Sequence, residues 1–283
     1  MKTSSTNRVL GGSIFWLLII LVDLAGLIYL GIWGFQNNNI QAIAITSIMG
    51  VTSIAGIILS NFEIFSSGTW PQNSFYFMLG FTIWCFFLGN DQKSVLSLTQ
   101  NGLFAQIAGQ LPLSLEFAFN TYIIPICEEI FWMAGLPYTI NLIMDLIGQK
   151  YAIVKNVIVK LVVIALFTML TFAFFHVSKL IFAFLIGAMI FRLFMVLSVI
   201  GEPQLAGRFQ ALRFIQIVPA FAVGAHIGNN WADTTQGPGF LGGVDILVQN
   251  PVIGIIVLVF FVAMTISSVY YVRSFLPGRG RRA

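Results

Sequence analysis

PICEEIFWMAGLP, residues 125–137, sets Glu128 and Glu129 side by side between two prolines. Around them stand Ile126, Cys127, Ile130, Phe131, Trp132, Met133 and Ala134, and nothing in the stretch is basic. The rest of the chain avoids charge. Only 8% of the 283 residues are charged, 58% are hydrophobic, and the mean hydropathy is +0.92. An average soluble protein carries roughly 25% charged residues, so this chain has too little polar surface to cover a soluble domain. Its apolar residues come in unbroken runs, and runs of about 18 or more are read as transmembrane helices. A lipid-spanning barrel is excluded, because its strands alternate apolar and polar residues over about 10 positions.

Outward from this stretch, hydropathy divides the chain into about eight spans, at 12–34, 40–60, 74–88, 113–136, 156–176, 179–200, 211–231 and 251–272. The fourth carries both glutamates, and it either stops at Pro137 or runs on through Asp145. Residues 90–112 are more polar and read as a surface helix or a re-entrant piece. The apolar run from Ile14 to Trp33 exceeds the 7–15 residue core of a signal peptide and reads as a retained first span. No internal repeat or linker interrupts the chain. The expected fold is all-α: a polytopic transmembrane helical bundle, one domain over 1–283, with a site buried between the fourth, fifth and seventh spans.

The net charge is +4 and the pI about 9.2. Basic residues cluster at Lys2 and Arg8, at Lys150 and Lys155, at Arg208 and Arg213, and at Arg273, Arg279, Arg281 and Arg282. With eight spans these groups fall on one side, which the positive-inside rule makes the cytoplasm. Both termini are then cytoplasmic; Lys179 alone falls on the other side. No basic patch with interleaved aromatics points to nucleic acid. The arginine-rich tail reads instead as a contact with anionic lipid headgroups. Both cysteines, Cys85 and Cys127, lie in apolar runs and suggest no disulfide framework.

In a bilayer the informative residues are ionisable or strongly polar groups away from helix ends, since burying a charge there costs at least about 2.5–3.5 kcal/mol. They are Asp23, Glu128, Glu129, His176, Arg192, His226 and Asn230. His226 and Asn230 are four apart and share one helix face. Glu128 and Glu129 are neighbours, about 100° apart around the axis. One should face a cavity and the other should brace against a neighbouring helix. An apolar pocket suits a carboxylate to act as a base near neutral pH and take a proton from water. A histidine can orient that water or pass the proton to a leaving amine, and a His/Asn pair can hold an oxyanion. The same side chains can bind zinc, although no HExxH spacing is present. Asp23 reads as a helix–helix contact, Cys127 as an inert thiol in apolar surroundings, and the 28 phenylalanines as lipid-facing or core residues.

Three stretches occur in order: Glu128-Glu129 followed four residues later by Met133, then Phe172 with His176, then His226 with Asn230. In this the chain resembles the CPBP membrane proteases, the type II CAAX prenyl endopeptidases and their prokaryotic relatives, over about 113–231. Their motifs read EExxxR, FxxxH and HxxxN. The resemblance implies that Glu128 activates water and that Glu129 supports it. It implies that His176 contacts the water and that His226 and Asn230 form the oxyanion site. It also implies metal-independent catalysis without a cofactor, zinc being the alternative. The family arginine falls on Met133, which cannot pair with a carboxylate; Arg192 is the candidate replacement.

The leading expectation is therefore an intramembrane endopeptidase acting on a membrane-anchored or prenylated peptide. Its partners would be membrane lipid and a lipidated or transmembrane peptide. Met133 keeps a second expectation open: a non-catalytic protein of the same fold, such as an immunity factor, a chaperone or a subunit of a membrane complex. A proton-coupled transporter is a third, weakened by the lack of paired broken helices or inverted repeats.

Overall fold

The structure, a computed structural model, describes residues 4–59, 68–88, 110–175, 218–234 and 240–275. All regular structure among them is helical, with no strand. The sixth expected span, His176 and Arg192 lie outside the described residues.

Among the described residues, three helices are long and apolar enough to cross a bilayer: Ile14–Gln36, Ile40–Ile58 and Pro251–Arg273. They belong to α1 (Ser4–Gln36), α2 (Ile40–Leu59) and α10 (Pro251–Arg273). In α10 only Met264 is buried, and a helix apolar all round with so little burial suits hydrocarbon on its outer faces. The third expected span starts earlier than hydropathy implied. Its helix α3 (Trp70–Ile83) begins at a capping box of Thr69 and Gln72, with Pro71 in the first turn, and ends in a π turn, Trp84–Leu88.

The expected fourth span does not stop at Pro137. Helical elements follow one another without a break from Leu113 to Gly148: α4 (Leu113–Ala118), a π turn (Phe119–Ile123), α5 (Ile124–Ile130), a second π turn (Phe131–Gly135) and α6 (Leu136–Gly148). Each π turn ends two residues before a proline, Pro125 or Pro137. Proline has no N–H and its ring clashes with the carbonyl four residues back. The residue before each proline compensates with a longer bond: Ile124 N–H reaches Phe119 O, and Leu136 N–H reaches Phe131 O. Widening the turn lets the helix pass the proline, as π bulges do.

Contacts divide the chain into two compact units. The first comprises Met1–Ile19, Ser66–Ile126 and Ala220–Ala283. Here α3 packs along α10, with Trp70 Nε1 donating to Ser267 Oγ at 2.8 Å and edge-to-face pairs such as Phe77–Phe260. The same α3 meets α8 (Val218–Thr234) through glycines. A Cβ on Gly224 would lie 2.0 Å from Phe77 O, and one on Gly228 would lie 2.5 Å from Phe81 O. The G-x-x-x-G spacing allows this approach, as it does between membrane helices generally. Between the seventh and eighth expected spans, where hydropathy marks no span, the structure has a further helix, α9 (Phe240–Val248), and Asn250 then caps the start of α10 by accepting Ile253 N–H.

The second unit comprises Ile20–Phe65 and Cys127–Pro219. Asn37, Asn38 and Asn39 turn α1 into α2. Asn38 takes φ +50°, a left-handed conformation that asparagine tolerates, and Asn39 Oδ1 accepts Ala42 N–H at 3.0 Å. The second π turn crosses α2 at Gly135, where a Cβ would sit 2.9 Å from Ser53 N. α6 packs on α7 (Val157–Phe175) through Ile140, Met144, Ile164 and Ala165, and Lys160 pairs with Asp145 beside this contact.

The glycine contact makes a direct prediction. Gly224→Leu and Gly228→Leu place carbon inside a backbone carbonyl's contact distance and should destabilise the fold by about 1–3 kcal/mol or more. Gly31→Ala, whose Cβ would meet only Thr46 Oγ1 at 3.8 Å, should be near neutral. Denaturant unfolding of the purified protein in bicelles measures both.

Candidate functional site

Glu128 and Glu129 lie in α5, in the second unit. Glu129 is 1% exposed and Glu128 is half-buried, which matches the 100° separation of neighbours on one helix. Cys127, one residue earlier, is a buried free thiol. Its Sγ–H donates to the Asp23 backbone carbonyl at 3.5 Å, so α5 touches α1 at this level. Met133 falls in the second π turn.

His226 and Asn230 lie in α8, in the first unit. His226 is half-buried and sits two residues from each of Gly224 and Gly228. It is therefore turned roughly 200° from the glycines that meet α3. Asn230 is held at both ends of its amide. Nδ2 donates to Asn120 O at 2.9 Å, and Oδ1 accepts from Asn229 Nδ2 at 3.3 Å.

The Asn120 bond follows from the proline. In an α-helix, Asn120 O would accept from Ile124 N–H, but that donor is turned to Phe119 O. In a π turn the donor would be residue 125, which is proline and has no N–H. A carbonyl stripped of its helical donor must find another partner in an apolar interior. Asn230 supplies it. Sequence reasoning singled out Asn230 for a different task and missed Asn120. The available signal was a polar residue five positions before a proline in an apolar run.

Other groups in the first unit surround this pair. Trp231 stacks on Phe240 at 5.3 Å, its Nε1 donates to Phe240 O at 3.1 Å, and Tyr122 meets its ring edge-on at 6.0 Å. Gly243 lies against the indole, where a Cβ would come within 2.4 Å. Beside them opens a cavity of about 330 Å³ lined by Trp231, Phe240, Val244, Leu247, Ile255 and Phe261 among others. That volume is at the low end of small-molecule pockets, roughly 300–1,000 Å³, and its walls are almost wholly apolar.

Among the described residues no three His, Cys, Asp or Glu side chains are arranged to hold a metal ion. The structure thus describes four of the five expected site residues: the glutamates in one unit, His226 and Asn230 in the other.

The helical composition and three membrane-length apolar helices define the class as an all-α membrane protein. No protein-family model, curated protein or solved structure matches the chain.

The proline account predicts a coupling. Asn230→Leu removes the donor to Asn120 O and should cost about 0.6–1.7 kcal/mol, the range for such bonds between membrane helices. Pro125→Ala restores a backbone N–H at the position that can serve that carbonyl. In the Pro125→Ala background the cost of Asn230→Leu should shrink. A double-mutant cycle measures the difference, and strictly additive effects would contradict the assignment.

Proposed function

We propose that this chain is a multi-pass intramembrane endopeptidase, of about eight spans, with both termini in the cytoplasm. It hydrolyses a peptide bond in a membrane-anchored or prenylated substrate. The observation that carries the reading is the unequal burial of the glutamate pair inside an apolar helix. A half-buried Glu128 is placed to take a proton from water, while a buried Glu129 is placed to support it. Charge is costly in such surroundings and is kept where it serves a task.

In the reaction Glu128 accepts a proton as water adds to the scissile carbonyl. His226 and Asn230 donate to the oxyanion of the tetrahedral intermediate, and an Asn amide already fixed at both ends loses little freedom in doing so. The proton then passes to the leaving amine, with His176 assigned to contact the water. The apolar cavity beside Trp231 has the chemistry to take a hydrocarbon chain, which accords with a lipidated substrate. The proposed reaction needs no resident metal; a chelator-sensitive activity would instead assign the glutamates and histidines to zinc.

A second reading has its own observation. The Asn230 amide caps a backbone carbonyl, as structural glue does, and Met133 stands where the resembled family has arginine. These favour a non-catalytic membrane protein that works through a partner in a complex.

The test uses the purified chain in bilayers with prenylated CAAX-type peptides and transmembrane peptides. Glu128→Gln should reduce cleavage by about 10²–10⁴-fold, the usual contribution of general acid–base catalysis, without loss of fold. Equal cleavage by both proteins would overturn the assignment of Glu128. No cleavage by either, together with a stable partner recovered from membranes, would support the second reading.

A further inference from the structure

The endopeptidase reading gives no task to the connection between α6 and α7, residues 149–156, in the second unit. Its backbone leaves the α-helix. Tyr151 and Asn156 are extended on either side of a 3₁₀ turn, Ala152–Lys155, and Asn156 Oδ1 then accepts Ile158 N–H at 2.9 Å to start α7. Irregular backbone open to lipid does not occur inside the hydrocarbon, so this connection lies outside it. Its side chains nevertheless do not suit water. Tyr151 is 53% exposed and Ile153 72%, and exposed Leu146, Ile147 and Ile158 follow on the adjoining turns of α6 and α7. The level that satisfies both demands is the boundary between headgroups and acyl chains, where tyrosine is enriched.

The charges fit the same level. Lys160, 17% exposed in the first turn of α7, pairs with Asp145 of α6. Among the described residues neither Lys150 nor Lys155 is in an ion pair, and both are exposed, so the connection keeps two positive charges. Lys150 Nζ lies 5.6 Å from the centroid of the Tyr151 ring. The stem of Lys155 runs over Gly148, where a Cβ would come within 2.9 Å of Lys155 Cγ. Lysines of this kind lay their stems along apolar surface and keep the charged end among polar groups.

We propose that the α6–α7 connection is a binding surface for anionic phospholipid headgroups, with Tyr151 and Ile153 entering the headgroup–acyl boundary and Lys150 and Lys155 meeting lipid phosphates. The partner carries net negative charge because the surface carries two lysines outside any ion pair. Each basic residue near such a leaflet contributes about a fivefold preference for it. The contact holds the end of α6 at the bilayer surface, and α6 continues the run of helix that carries the glutamates. It does not depend on whether the chain cleaves peptides.

A nitroxide on Ile153→Cys, read by electron paramagnetic resonance in the full chain, tests this. Cys85 and Cys127 are buried thiols, and labelling the chain without Ile153→Cys gives the background. Depth is read by comparing relaxation by oxygen, which favours hydrocarbon, with relaxation by a water-soluble nickel complex. In phosphatidylcholine vesicles the label should sit at headgroup level. As phosphatidylglycerol replaces phosphatidylcholine, it should move deeper. Lys150→Gln or Lys155→Gln should each raise, by about fivefold, the phosphatidylglycerol fraction that gives half of this shift. The two together should abolish the shift, while Lys150→Arg with Lys155→Arg should keep it. A label open to the nickel complex in every vesicle overturns the proposal, and so does a depth that ignores phosphatidylglycerol. A shift reproduced by inorganic phosphate added to phosphatidylcholine vesicles also overturns it, since the ligand is then free anion and not lipid. Should Ile153→Cys fail to fold, Tyr151→Cys carries the label to the same surface.

Discussion

A backbone in hydrocarbon has no water to satisfy it, so each N–H and C=O must find a partner within the protein. That constraint bears hardest on the segment from Leu113 to Gly148, where Pro125 and Pro137 each remove a donor. The helix survives both by widening one turn before each proline. The first widened turn leaves the Asn120 carbonyl to a side chain on α8, and this ties Asn230 to its place. The glutamates lie between the two π turns. Their position along the helix is set by how the chain passes its prolines.

Close crossings do the rest of the positioning. Gly224 and Gly228 let α8 approach the backbone of α3, so His226 projects from the opposite side of its helix. Gly135 lets α2 cross immediately after the glutamate-bearing helix. Small residues are placed where backbones touch, and polar ones one or two positions away. In a lipid solvent, van der Waals fit of this kind and a few hydrogen bonds drive helix association, because lipid tails are as apolar as leucine.

The sequence made the class and much of the element list legible. Unbroken apolar runs located α1, α2 and α10 to within a few residues. The helical angle between adjacent residues foretold that Glu128 and Glu129 would differ in burial. What escaped was what hydropathy does not encode. A proline in an apolar run reads equally as a stop or a bulge, and only the carbonyls left behind decide which. The helix Phe240–Val248 looked like a loop because its glycines and Asp245 dilute its hydropathy, yet Gly243 is required by the indole of Trp231. Asp23 had no visible partner because Cys127 is 104 residues away in sequence.

The central claim is that Pro125 frees the Asn120 carbonyl and that the amide of Asn230 occupies it. Solid-state NMR on protein in bilayers measures this without altering a side chain. With 13C in the Asn120 carbonyl and 15N in asparagine side chains, the dipolar coupling reports their separation. A strong coupling to the Asn230 amide, as required by an N···O distance of 2.9 Å, is the predicted result. A carbonyl carbon with no coupling to any side-chain amide except that of Asn120 itself would contradict the account.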